Sequence, residues 1–218
     1  MKKDNVVGIV ATIKEKPHMV IDAEDWKERV YQAEIERARP GRGKTDTFIL
    51  QYNGAAAGTE NALEEFDKGT EVLVCGEVRS YNREKKKEWE SKTVIYIFAE
   101  TILKNDPPAQ PQNDVFLRGR VCKEPRVQRI AQRSHGKEEE VQITEIVVAT
   151  NVKSGSHYIP CTCWREKAEL AAELSVGTCV EVKGRMRARE IKKRIKGKTV
   201  PFLTRVHEVS IYDIKRAE

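Results

Sequence analysis

Residues 69–76 read GTEVLVCG and residues 177–184 read GTCVEVKG, so the frame G-T-x-V-x-V-x-G occurs twice, 108 residues apart. In the second copy, apolar and polar residues alternate strictly, which is the period of a half-buried β-strand. The repeat extends further, because an offset of 111 places EIVVA at 145–149 over EIERA at 34–38, and Gly119 over Gly8. A repeat of about 110 residues is too long for a solenoid and indicates that a whole domain was duplicated.

A proline-rich segment separates the two copies. Residues 105–113 read NDPPAQPQN, and three prolines among polar residues are incompatible with the interior of a strand or helix. We therefore predict a divergent domain over residues 1–105, a linker over 106–112 and a second domain over 113–218. No apolar run approaches the ~18 residues that span a bilayer, and no signal-peptide core follows the N-terminus, so we expect a cytoplasmic protein without membrane contact.

Both halves predict the same order of elements, β-β-β-α-β-β. In the second half, Leu170 and Leu174 lie four residues apart and predict an amphipathic helix over 166–174, ended by Gly177. The strands are predicted over 115–121, 142–150, 158–164, 179–184 and 199–211, and in the first half over 5–13, 29–39, 45–52, 70–81 and 93–103, with a helix near 61–66. This order is typical of a five-stranded Greek-key barrel, the oligonucleotide-binding (OB) fold. The predicted class is all-β, with two tandem OB barrels and one short helix in each.

The second half resembles bacterial single-stranded DNA-binding proteins. The resemblance runs in order through residues 113–125, 146–151, 157–164, 167–169 and 180–189. Through residues 30–37 and 76–82, the first half resembles the divergent leading domain of tandem homologues from clostridia and their relatives. Family members present four barrels as oligomers, so the resemblance implies a homodimer that binds single-stranded DNA in replication, recombination or repair, at the nucleoid. Replicative members of the family end in a flexible tail with an acidic tip. This sequence shows no counterpart of that tail after the last predicted strand, so a specialised role stays open beside a housekeeping role in replication.

The resemblance assigns base stacking to Tyr158 and Trp164, which fall where family members carry stacking aromatics. Period-two alternation places both side chains on one face of the predicted third strand. The alternative is that one or both fill the barrel core, but Ile159, Cys161 and Cys163 have the other parity and form the better core face. The five cysteines are scattered, so we expect buried thiols rather than disulfides, and no metal site.

Basic residues surround the predicted stacking face. Residues 1–112 contain 18 Lys and Arg against 20 Asp and Glu, net −2, whereas residues 113–218 contain 22 against 14, net +8. Strands one and four of the second half each expose only cations on one face, which predicts a groove for a polyanion. The predicted phosphate contacts are Arg118, Arg120, Arg185, Arg187 and Arg189, followed by Lys192, Lys193, Arg194 and Lys196 in the hairpin between strands four and five.

The first half lacks the two stacking aromatics, because Thr47 and Asn53 stand in their places. Tyr52 is one position off and is expected to face the core, so Tyr81 and Trp89 remain as the candidates for binding in this half. The first domain is therefore predicted to bind weakly, or to serve dimerisation or partner contact.

Three functions fit an OB tandem: a single-strand DNA binder, an interaction module of a primosome or replication-restart complex, and an RNA binder. The first is the leading prediction. The sequence contains no Gly-rich phosphate loop, H-E-x-x-H motif or G-x-S-x-G motif, and its four histidines are dispersed. We predict no enzymatic activity, cofactor or small-molecule substrate.

Overall fold

The computed structural model describes residues 3–41, 43–84, 91–106, 110–134, 137–193 and 201–217. The elements of the first repeat are β1 (Asn5–Ile13), β2 (His18–Ile21), β3 (Val30–Ala38), β4 (Thr45–Asn53), α1 (Gly54–Ala57), α2 (Ala62–Glu65), β5 (Glu71–Asn82) and β6 (Thr93–Lys104). Those of the second are β7 (Asn113–Val121), β8 (Arg126–Ser134), β9 (Lys137–Val152), β10 (Gly155–Trp164), α3 (Glu166–Ala172), β11 (Cys179–Lys193) and β12 (Phe202–Arg216).

The two repeats have the same strand topology. In the first, the order is β2-β3-β4-β6-β5-β1, and a β1–β3 pairing closes the barrel. In the second, the order is β8-β9-β10-β12-β11-β7, closed by β7–β9. The β4–β6 and β10–β12 pairs are parallel, as the Greek-key path requires. The prediction of two tandem OB barrels is confirmed, and each barrel carries one additional edge strand, β2 or β8.

The repeated G-T-x-V-x-V-x-G frame has the same physical basis in both barrels. Its first glycine adopts a positive φ, +87° at Gly69 and +89° at Gly177, which favours glycine. The valines between the two glycines are fully buried. At the last glycine a Cβ would meet the neighbouring strand, the Phe98 carbonyl oxygen at Gly76 and the Ser210 carbonyl oxygen at 2.6 Å at Gly184. The motif therefore encodes a turn, a strand and a close backbone approach.

The second barrel buries the predicted core face of β10. Ile159, Cys161 and Cys163 are almost fully buried. Burial raises the pKa of the Cys161 thiol well above its usual value and that of Cys163 to about 12. All five cysteines are free. Cys161 and Cys163 are buried as expected, whereas Cys122 and Cys179 are only half-buried and Cys75 is exposed, so the expectation of buried thiols is wrong for Cys75.

The helices differ from their predictions in detail. In α3 the buried residues are Ala168 and Ala171, followed by Leu174, whereas Leu170 is 51% exposed. Helix α3 has its C-cap at Glu173, in a right-handed conformation, so Gly177 does not cap it. The Gly177 N–H instead donates to the carbonyl of Val121, the last residue of β7. The first repeat has two single-turn helices rather than one, and α2 lies where its helix was predicted.

The chain groups into two compact units. One contains Val6–Asn113 and Ala188–His207, and the other contains Met1–Asn5, Asp114–Arg187 and Glu208–Glu218. Each repeat therefore supplies a short segment to the unit built mainly from the other repeat, a feature absent from the predicted boundaries. No helix in the described part of the chain has the length and apolar character to cross a membrane.

Candidate nucleic-acid interface

Strand β10 presents Tyr158 and Trp164 on the face opposite the core. Tyr158 is 51% exposed and Trp164 is half-buried. Because a strand rises about 3.3 Å per residue, the two aromatic positions lie about 20 Å apart along β10. Neither side chain fills the barrel interior, so the alternative in which one or both form the core does not apply.

Tyr158 shares a row of the sheet with Arg120. Tyr158 pairs with Ala149 of β9, and Ala149 pairs with Arg120 of β7. Cross-strand partners project to the same face, and strands are about 4.8 Å apart, so the backbone positions of Arg120 and Tyr158 are about 10 Å apart on one surface. The Arg120 Nη1 donates to the Gly177 carbonyl oxygen at 2.8 Å, which fixes the guanidinium near this row.

Trp164 is followed by a residue in an unusual conformation. Arg165 has φ of 55°, a positive value that no other non-glycine residue in the described ranges shows. Its guanidinium forms a two-pronged ion pair with Glu139 of β9, at 3.0 and 3.1 Å. Since a positive φ is strained for residues with a Cβ, this contact and the Arg165 N–H bond to the Gln142 carbonyl hold the end of β10 in place.

The prediction that β7 and β11 expose only cations on this side is wrong. Glu181 of β11 pairs directly with Arg118 of β7, and its carboxylate lies 4.0 Å from the Arg118 Nε and 2.8 Å from the Lys215 Nζ. On β9, Glu145 lies 4.0 Å from Arg126. Glu181 and Glu145 thus lie among the basic residues, and the positive charge of Arg118 is partly neutralised.

Further along β11, Arg185 is exposed and lies over the ring of Tyr212, with its Cζ 5.6 Å from the ring centroid. Burial and the neighbouring Asp114 carboxylate raise the pKa of Tyr212. Tyr212 is an exposed aromatic that the sequence analysis missed, because its strand was predicted to end at Ile211. Its alternation with the buried Ile211 was the available signal in the sequence.

Three further basic candidates follow on the same strand. Arg187 and Arg189 are half-buried and Lys192 is exposed. The Lys193 side chain, Arg194 and Lys196 lie outside the described residues.

In the first repeat, the positions equivalent to the aromatics have structural roles. Asn53 caps α1 by accepting the Ala56 N–H, and Thr47 is buried. Tyr52 is fully buried, as expected. Tyr81 is half-exposed and packs edge-on against Tyr96, with ring centroids 5.7 Å apart. Trp89 lies outside the described residues.

Comparisons with known proteins agree with this architecture. Residues 112–213 match the model of the Single-strand binding protein family. Two solved structures of the single-stranded DNA binding protein from Thermus aquaticus are similar over 98% of this chain. A deletion mutant is 18% identical, with 94% of its chain covered and a TM-score of 0.70, and the wild type is 19% identical, with 93% covered and a TM-score of 0.66. No curated protein matches the sequence.

Proposed function

We propose that this chain, whose residues 112–213 form a domain of the single-strand binding protein family, binds single-stranded DNA without sequence preference through its second repeat. The observation that carries the proposal is the exposed ring of Tyr158 in one sheet row with Arg120. Aromatic faces stack on bases of any sequence, and guanidinium groups contact phosphates. The family match favours this function over an interaction module or an enzyme.

In this proposal the single-stranded DNA runs over the outer face of β10, between Tyr158 and Trp164. Each ring would stack one base, and a stacked base contributes about 1–3 kcal/mol. Cations along the path would contact phosphates, from Arg118, Arg120, Arg185, Arg187 and Arg189 to Lys192, Lys193, Arg194 and Lys196. The acidic residues among them lower the local positive potential, so we assign more of the affinity to stacking than the net charge alone suggests.

The test is a titration of fluorescently labelled oligo(dT) at two salt concentrations, read by anisotropy. Tyr158→Ala and Trp164→Ala are each expected to weaken binding by about 1–3 kcal/mol, or roughly 5- to 150-fold in Kd. Tyr158→Phe keeps the ring and should retain most of the affinity. Leu170→Ala removes a similarly exposed apolar side chain from α3 and serves as the matched control. Equal affinities for Tyr158→Ala, Trp164→Ala and Leu170→Ala would exclude stacking on this face.

Salt dependence tests the phosphate contacts separately. The log–log slope of affinity against salt is about −0.7 for each phosphate neutralised on a single strand. Arg120→Gln should therefore make the slope shallower by about 0.7 if Arg120 contacts one phosphate. Competition between oligo(dT) and oligo(U) distinguishes DNA binding from RNA binding, since only RNA carries the 2′-hydroxyl.

We also propose that two chains associate as a homodimer that presents four barrels, and that Tyr81 and Trp89 of the first repeat make at most secondary DNA contacts. The two barrels in each chain support the dimer, because family members present four. Light scattering on the purified chain measures its mass directly, and a monomer of 24.9 kDa would exclude the dimer. DNA binding would place the protein in the cytoplasm, at the nucleoid.

A further inference from the structure

The base of the hairpin between β11 and β12 contacts the first repeat. This basic hairpin consists of β11 from Ala188 to Lys193 and β12 from Phe202 to His207, and it belongs to the same compact unit as Val6–Asn113. On β11, the Ala188 N–H donates to the Asp46 Oδ1 at 2.9 Å, and the Arg39 Nη2 donates to the Ala188 carbonyl oxygen at 2.7 Å. Both polar groups of one backbone residue are thus bound by side chains of the first repeat.

The Asp46 carboxylate is fully buried. Its Oδ2 accepts from the Arg39 Nε at 2.9 Å, and its Oδ1 accepts from the Arg39 Nη2 at 2.5 Å in addition to the Ala188 N–H. A buried carboxylate is unfavourable unless it is both paired and hydrogen-bonded. The hairpin thus helps to satisfy this carboxylate, because the Ala188 N–H is one of its hydrogen-bond donors.

The other strand of the hairpin is held at its end. The His207 Nε2 lies 2.9 Å from the Thr47 carbonyl oxygen, which only accepts, so this nitrogen carries the hydrogen. The His207 ring also packs at 5.9 Å from the ring of Phe48. Thr47 occupies the position equivalent to Tyr158, so the first repeat uses its counterpart of the stacking strand to hold the hairpin.

We propose that Asp46, Arg39 and His207 are positioning residues through which the first repeat orients the basic hairpin for single-stranded DNA. The inference rests on the proposed function, because Arg189 and Lys192 lie on this hairpin. A two-stranded hairpin is only marginally stable by itself in water. An anchored hairpin is already in its binding position. If the hairpin detaches, only a fraction of the molecules hold it in that position, and the apparent Kd rises in inverse proportion to that fraction.

The test compares Asp46→Asn with wild type in the full chain. Asparagine keeps an oxygen that can accept from the Ala188 N–H. Its amide nitrogen is a donor and faces the Arg39 guanidinium, so the ion pair between residue 46 and Arg39 is lost. Glu77→Gln is the matched control, because Glu77 forms a comparably buried pair with Arg79, 2.8 Å apart. We expect Asp46→Asn to reduce hydrogen-exchange protection over residues 188–192 and to raise the Kd for oligo(dT) about tenfold if a tenth of the molecules keep the hairpin in place.

A second pair of variants keeps the test decisive if Asp46→Asn does not fold. His207→Ala removes the hydrogen-bond donor to the Thr47 carbonyl, whereas His207→Gln retains a donor in its side-chain amide. We expect His207→Ala to weaken oligo(dT) binding severalfold and His207→Gln to restore most of it, with the salt slope shallower only in His207→Ala.

The outcomes separate this inference from the proposed function. If wild type binds oligo(dT) and Asp46→Asn binds as tightly as Glu77→Gln, the positioning role is overturned while the proposed function stands. Unchanged exchange protection in Asp46→Asn overturns the anchor itself. If wild type does not bind oligo(dT), the proposed function fails, and exchange protection alone decides whether Asp46 holds the hairpin.

Discussion

The same substitution at equivalent glycines of the two repeats is expected to have different effects. Gly119 of β7 and Gly8 of β1 are related by the repeat, and both lie in strands. A Cβ at Gly119 would overlap the Ala149 carbonyl oxygen and lie 2.9 Å from the carbonyl carbon, so a strand backbone must move. A Cβ at Gly8 would meet the Gln112 side-chain amide at 2.7 Å, and that flexible group has room to rotate away.

The magnitudes follow from these contacts. Overpacking against a rigid strand costs about 1–3 kcal/mol. Replacing glycine by alanine otherwise stabilises a protein by about 0.4–1 kcal/mol, because the unfolded chain loses freedom. Gly119→Ala should therefore destabilise its repeat and Gly8→Ala should be near neutral, a difference of about 2 kcal/mol or roughly 10 °C in Tm for a domain of this size.

Thermal and urea unfolding of the two full-length variants, followed by circular dichroism, measure this difference. Wild type and both variants should have the same far-ultraviolet spectrum before unfolding. Equal Tm values for Gly119→Ala and Gly8→Ala, or a larger loss for Gly8→Ala, would refute the close approach of β7 to β9 on which the reasoning depends.

Other expected outcomes test the backbone, the thiols and the core. Arg165→Gly should be about 1 kcal/mol more stable than Arg165→Ala, because both variants lose the ion pair with Glu139 but only glycine relieves the strained positive φ. Urea unfolding of the two variants measures this difference. In the native protein at pH 8 to 10, a thiol reagent should modify exposed Cys75 first, whereas Cys163, whose pKa burial raises to about 12, stays protonated and should react only after unfolding. Tyr52→Phe removes a buried hydroxyl that donates to a backbone carbonyl, so the free energy of unfolding should fall by about 1 kcal/mol.

Local alternation in the sequence was sufficient to predict the barrels. The G-T-x-V-x-V-x-G frame marks turn, strand and close approach in each copy, so the starts of β5 and β11 were predicted to within one residue, whereas β11 continues to Lys193, well past its predicted end at residue 184. The parity of β10 separated Tyr158 from the buried Cys161 in the same way. These features depend on neighbours within a strand, which the sequence reports directly.

Contacts between distant residues were not predictable in the same way. The carboxylate of Glu181 lies beside Lys215 because β11 and β12 are neighbours, and neither residue signals this by its spacing. The extra strand β8 was missed because its polar residues, among them Arg126 and Arg129, are typical of a loop. The burial of Asp46 depends on a segment more than 140 residues further along the chain.

The exchange of short segments between the repeats has a consequence for the history of the protein. Asp4, at the start of the chain, accepts the Arg118 N–H, and Ala188 binds Asp46 of the first copy. Removal of either copy would therefore take away hydrogen-bond partners that the other copy has in the intact chain, although each barrel is closed by its own strands. Mutual dependence of this kind favours keeping both copies in one chain.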